Sequence, residues 1–223
     1  MTQKGLARGS STRAANVNKR KHIILERAGD IIATQGVDAL TMSKLALAAD
    51  VTVPTIHNLF GKKADIFERL VIEMIERVEK ALADLVLSDP ITASEAFIDK
   101  LISLFRANEG LYKAAFVAGE NTKIFDQKLP GGIFQTSLDI CSQVCQKGRE
   151  DGYLLGNINT EILAIQVFGC QRLARQDWVN SYIDLDRYRA QVLCGMYITF
   201  MADARQDYKE MLQRRVEHLS QTY

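Results

Sequence analysis

Residues 24–67 read ILERAGDIIATQGVDALTMSKLALAADVTVPTIHNLFGKKADIF, and their short-period, punctuated pattern decides the fold. Ile24, Leu25, Ala28, Ile31 and Ile32 recur at three and four, which predicts a helix that stops at Gln35-Gly36, where glycine takes the left-handed cap. Thr41 caps a second short helix that turns Leu45, Ala46 and Ala49 inward. A tight turn at Asp50-Val51 leads to Thr52, a further cap, and Pro54 stands in the first turn, where its missing N–H costs nothing. The third helix therefore runs from Val53 to about Phe60. Two short helices on a tight turn, braced by a preceding helix, make a helix-turn-helix, whose second helix fits a DNA major groove.

Outward from this stretch the chain reads as helical throughout. Only three prolines occur, Pro54, Pro90 and Pro130, and the apolar residues keep the helical period. From Ala64 to Leu87, Phe67, Leu70, Met74, Val78, Leu82 and Leu85 form one stripe, on a helix about 36 Å long. After Ser88-Asp89-Pro90 a helix from near Ala93 turns Phe97, Leu101, Leu104 and Phe105 inward, and another spans Leu111 to Ala118. Behind Pro130-Gly131-Gly132, Phe134, Leu138, Cys141 and Cys145 share one face, closed by Asp151-Gly152. Helices over Thr160 to Asn180 and Asp186 to Ala204 are apolar on more than one face, and a charged terminal helix follows Asp203. A helix apolar on two faces needs two partners. A second subunit is the expected one, over Ile165, Gly169, Tyr188, Val192, Gly195, Met196 and Thr199.

Composition bounds the function classes. The 223 residues are 47% apolar and 25% charged, an ordinary globular balance that excludes collagen-like, wholly disordered and membrane-spanning chains. The start, MTQKGLARGS, lacks the apolar core of a signal peptide, so a cytoplasmic protein with no membrane partner is expected. Cys141, Cys145, Cys170 and Cys194 include no CxxC pair and read as reduced core thiols. With His22, His57 and His218 scattered, neither a metal nor a cofactor is expected. No nucleophile elbow, Gly-rich phosphate loop, HExxH or clustered carboxylate pair is present, so an enzyme is not expected. The net charge of +1 hides an asymmetry. Residues 1–63 hold ten Lys and Arg against four acidic residues, a charge of +6, and the rest hold eighteen against twenty-three, a charge of −5. A basic head sits on an acidic body.

At residues 24–67 the chain resembles the TetR family of transcriptional regulators, through Ile24-Leu25, Ala28, Gly36, Thr41, Leu45-Ala46, Ala49, Val51, Thr52, Thr55, Phe60, Lys63 and Asp65-Ile66-Phe67. It departs from the family at Asp50, usually glycine, at His57, often tyrosine, at Leu59, often histidine or tyrosine, and at Ala64, often glutamate. Asp50 still tolerates a left-handed backbone. The resemblance implies an all-α fold with a three-helix helix-turn-helix domain joined by helix 4 to a larger helical ligand-binding and dimerisation domain. The boundaries implied are a flexible basic arm over 1–18, the DNA-binding domain over 19–65, and effector binding and dimerisation over 66–223.

The resemblance also implies roles. Thr41 and Lys44 would meet phosphate, while Thr52, Pro54, Thr55, His57 and Asn58 would face the major groove, Asn58 pairing with adenine. Lys62 and Lys63 would clamp the backbone. Met74, Phe105, Phe116, Phe134, Leu138, Cys141 and Phe168 would line a cavity for a small hydrophobic or aromatic effector. The function so implied is a homodimeric regulator of double-stranded operator DNA, a repressor released by its effector. The alternative is a helical partner-binding module that has lost DNA binding.

Overall fold

The computed structural model describes residues 6–122 and 133–221. Among them are ten α-helices and no strand: α1 (Leu6–Gln35), α2 (Met42–Ala48), α3 (Val53–Phe60), α4 (Lys63–Leu82), α5 (Pro90–Ala107), α6 (Glu109–Thr122), α7 (Ile133–Glu150), α8 (Thr160–Val179), α9 (Leu185–Met201) and α10 (Gln206–Gln221). The all-α architecture agrees with the sequence reading. Pro130-Gly131-Gly132 falls outside the described residues. The helices form two compact units, one of Met1–Met74 and Asn108–Gln127, the other of Ile75–Ala107 and Lys128–Tyr223. The division falls within α4, after Met74.

In the first unit α1, α2, α3 and the start of α4 bury Ile24, Leu25, Ile31, Leu45, Ile56 and Ile66. Beyond this three-helix core α6 packs on α1. The two helices lie so close that a Cβ on Gly29 would stand 3.1 Å from Leu111, and one on Gly110 3.3 Å from Ala33. The apolar face of α6, with Leu111, Tyr112, Ala115 and Phe116 buried, is used within the first unit. His22, 3.3 Å from both Glu26 and Glu73, ties α1 to α4. Where a flexible arm is expected, α1 starts at Leu6. The stretch holds no proline and includes the helix formers Ala14 and Ala15, and residues 13–20 are exposed.

The second unit is organised on α9, flanked by α5, α8 and α10. Phe105 stacks on Trp178 at 5.0 Å between ring centres, and Tyr188 meets both rings at 6.4 and 6.1 Å. Tyr188, Val192 and Met196 are buried within the single chain, as are Leu193, Tyr197 and Phe200. This corrects their assignment to a subunit interface: both apolar faces of α9 find partners in its own unit. On α8 and α9 the large apolar side chains left in solvent are Ile162, Ile165, Leu173 and Ile198, 45–70% exposed. With Gly169, also exposed, the α8 set advances by three, four and four and forms one stripe.

Helix ends follow local chemistry. α5 begins at Pro90, earlier than Ala93, because Asp89 accepts from the N–H groups of Ile91 and Thr92 at 3.1 and 3.2 Å. α4 stops at Leu82, short of the expected Leu87, where Lys100 Nζ takes the Ala81 carbonyl and the Leu85 N–H closes a turn on Leu82. Asp203, buried after α9, accepts from the N–H groups of Gly156, Asn157 and Ile158 at 2.9–3.2 Å and so fixes the α7–α8 connection. Asp203→Ala would leave three part-buried N–H groups without their acceptor, and chemical denaturation should show a loss of about 2 kcal/mol in unfolding free energy. A loss below about 1 kcal/mol would mean that solvent reaches these donors.

Candidate functional site

The polar surface of the helix-turn-helix rests on its caps. Thr41 Oγ1 accepts from the Lys44 N–H at 3.2 Å to start α2. α2 ends when the Val51 N–H returns to the Ala46 carbonyl and the Asp50 N–H to that of Leu47, at 3.0 and 3.3 Å, with Asp50 at φ 52°. This is the paired-bond helix stop that normally carries glycine, and Asp50 fills it as the sequence reading expects. Thr52 then caps α3, accepting from the Thr55 N–H at 3.3 Å and meeting the Thr55 hydroxyl at 2.9 Å.

Only one side chain of α3, Ile56, is fully buried. Its opposite face presents Pro54, His57 and Asn58, all exposed and spaced at i, i+3 and i+4. Thr52 is exposed beside them and Thr55 half-buried. The structure thus gathers Thr52, Pro54, Thr55, His57 and Asn58 along one short helix. Gly61 closes that helix at φ 94°, and a Cβ there would stand 2.4 Å from Asp65 Oδ2. The same carboxylate accepts from the Lys62 N–H at 2.6 Å, starting α4. Gly61 and Asp65 therefore couple α3 to α4, a link the sequence reading missed although Asp65 sits at a capping distance from Lys62.

The four cations differ in what holds them. Lys62 is exposed. Lys63 is half-buried, its ammonium donating to the Val37 carbonyl at 3.3 Å and lying 5.4 Å from the centre of the Phe67 ring. Lys44 donates to Gln35 Oε1. Lys21, outside the expected set, lies over the Phe60 ring at 5.9 Å. Leu47, 85% exposed at the end of α2, is a second residue that the sequence reading passed over.

The seven effector candidates divide. Met74 and Phe116 are buried in the first unit, the latter on the face of α6 that α1 uses. The other five lie in the second unit. Phe134 and Phe168 meet edge to face at 6.0 Å, joining α7 to α8. Cys141 is buried on the same face of α7 as half-buried Leu138, and Phe105 belongs to the Trp178 stack. Burial raises the Cys141 thiol pKa far above its usual value and lifts Cys145 to about 12, so both stay protonated core thiols. A cleft of about 510 Å³ opens elsewhere, between α8, α9 and the end of α10, lined by Leu173, Gly195 and Ile198 among others and by none of the seven. No helix among the described residues is long and apolar enough to cross a membrane.

Residues 24–70 match the family model for bacterial regulatory proteins, tetR family. The TetR family protein CprB from S. coelicolor A3(2) is similar in structure with a TM-score of 0.67 at 16% identity, over 92% of this chain and 100% of that one. A gamma-butyrolactone receptor described as an ArpA-like protein gives 0.63 at 15%, over 93% and 100%. The fatty acid degradation regulator FadR from Bacillus halodurans gives 0.60 at 19%, over 89% and 97%. At these identities the likeness is one of fold. No curated protein matches the sequence.

Because Asp50 alone carries the left-handed turn, Asp50→Gly should hold or raise stability by up to about 1 kcal/mol, and Asp50→Val should lower it by about 1–2 kcal/mol. Thermal unfolding of the two variants checks this; equal losses would place the turn's tolerance elsewhere.

Proposed function

We propose that this chain, whose residues 24–70 match the family model for bacterial regulatory proteins, tetR family, is a homodimeric repressor released from a palindromic operator by a small apolar effector. The observation that carries this reading is the exposed face of α3, on which Thr52, Pro54, His57 and Asn58 stand clear of the core while Ile56 anchors the helix from behind. Asn58 reads a base, a Thr methyl meets thymine, and Lys62, Lys63, Lys44 and Thr41 hold phosphate. Lys44 and Lys63 must first leave Gln35 and the Val37 carbonyl. The basic balance of residues 1–63 supports a polyanionic partner.

A single head reads too few base pairs for specificity, and a two-fold pair reads half-sites about one helical turn, ~34–36 Å, apart. The pairing surface is the solvent-facing apolar stripe of Ile162, Ile165, Gly169 and Leu173, continued on α9 by Gly195, Ile198 and Thr199. The 510 Å³ cleft on this surface gives a second copy a concave seat. The effector enters among Phe105, Phe134, Leu138, Cys141 and Phe168. Its signal travels along α4, which is continuous from Lys63 to Leu82 and carries the Lys62–Asp65 cap at its start.

Binding-site selection with the purified protein, followed by gel shift, tests the reading: a palindromic site bound at low salt supports it, and no DNA binding at low salt overturns it. On the selected site Asn58→Ala should relax preference at one base pair by about 1–3 kcal/mol. Lys62→Ala should weaken all sequences alike and flatten the salt slope by about 0.9. A base-selective loss at Lys62 would reverse the two roles.

Leu173→Glu should leave the helical circular dichroism intact, convert the protein to monomers in sedimentation, and abolish the cooperative two-headed shift. A variant that still sediments as a dimer would move the interface elsewhere.

A further inference from the structure

The inner face of α8 carries Leu163, Ala164, Val167, Gln171, Ala174 and Trp178, all buried. Five of the six are apolar, and the sixth is an amide. Gln171 is 4% exposed, and its Nε2 has no hydrogen-bond partner among the described residues. A buried amide donor left in this condition opposes folding, so a core position of this kind is filled by an apolar residue unless the donor serves something else.

The surroundings indicate what it serves. One turn below Gln171 stands Phe168 and one turn above it Arg175, so the three share a stripe on α8. Across from them on α7, the Phe134 ring meets the edge of Phe168 at 6.0 Å and lies 4.7 Å beneath the Arg175 guanidinium. Phe134, Leu138, Phe168 and Arg175 are each half-buried, so this part of the second unit is open to solvent, with Gln171 at greater depth. Two helical turns further along α8 stands Trp178, stacked on Phe105 and lying 6.1 Å from the tilted ring of Tyr188 on α9. Burial raises the Tyr188 pKa to about 12 and the Arg175 charge pulls against that rise, which places the guanidinium within electrostatic reach of the aromatic floor. A neutral N–H donor and a cation stand four residues apart, among aromatic and aliphatic side chains.

We propose that the effector is a carboxylate-bearing amphiphile, whose carboxylate accepts from Gln171 Nε2 and pairs with Arg175 while its apolar part lies against Phe134, Leu138 and Phe168. This deepens the proposed regulator and rests on its having an effector in this unit. Gln171 sets specificity for an acceptor and Arg175 for its charge, as a site built on hydrogen bonds rejects molecules that leave its donors unpaired.

The chain holds one tryptophan, Trp178, two helical turns from Gln171 on the same helix, and its emission is the readout. Octanoate, methyl octanoate and octylammonium are the probes, sharing an apolar chain and differing at the head. Octanoate should quench Trp178 with the lowest Kd, methyl octanoate should bind more weakly, and octylammonium should not bind. Gln171→Met, close to the native side chain in volume, should weaken octanoate roughly ten- to hundred-fold and raise the melting temperature of the free protein by about 2–4 °C. Gln171→Glu gives a second variant, in which charge repulsion should abolish octanoate binding. Arg175→Gln should bring octanoate down to the level of the methyl ester. The assignment is overturned by octylammonium binding as well as octanoate, by no probe quenching Trp178, by Gln171→Met leaving octanoate within two-fold, or by its lowering the melting temperature. Operator gel shifts on the same preparations separate the two readings. DNA binding without octanoate binding sinks only the ligand chemistry, and octanoate binding without DNA binding sinks only the regulator.

Discussion

An eight-residue helix does not persist in water by itself, because too few hydrogen bonds form to offset the cost of its first turn. α3 exists because Ile56 is driven into the core of the first unit and because both its ends are closed, by Thr52 at the start and Gly61 at the end. Everything that faces outward from α3 is held in place by that one buried side chain. Of its eight residues, Pro54, His57 and Asn58 are left exposed on the side away from Ile56.

The second unit meets the opposite demand. Most of the apolar surface of α9 is buried, with Ile198 left in solvent, and the Phe105, Trp178 and Tyr188 rings pack together at its start. Against this packing, α8 carries both an unmatched amide and a solvent-facing apolar stripe. The first is chemically specific and small, and the second is broad and apolar. The difference suits a ligand in one case and a protein surface in the other.

The helix-turn-helix was legible because its determinants are local. Thr41, Thr52, Pro54 and Asp50 each act on backbone groups within a few residues, and the structure places them at the caps and turn that their chemistry demands. The faces of α9 were not legible in the same way. Tyr188, Val192 and Met196 have the same spacing whether the partner helix comes from the same chain or from another, and only three-dimensional packing separates the two cases. Periodicity also cannot reveal that α6, which follows α5 in sequence, turns its apolar face to α1. Gln171 was hidden for a simpler reason: one amide in a five-residue apolar stripe looks like a helix edge until its burial is known.

The pairing of α6 with α1 has a consequence for synthesis. The first unit is discontinuous, and α1 buries the face around Gly29 only against residues that follow it by about eighty positions. On a ribosome adding ~5–20 residues per second, that face waits on the order of ten seconds for its partner. The helix-turn-helix core, whose contacts all fall before Met74, closes within that interval. The helix-turn-helix core therefore precedes α6 in synthesis, and the first unit is completed only after α5 has been made.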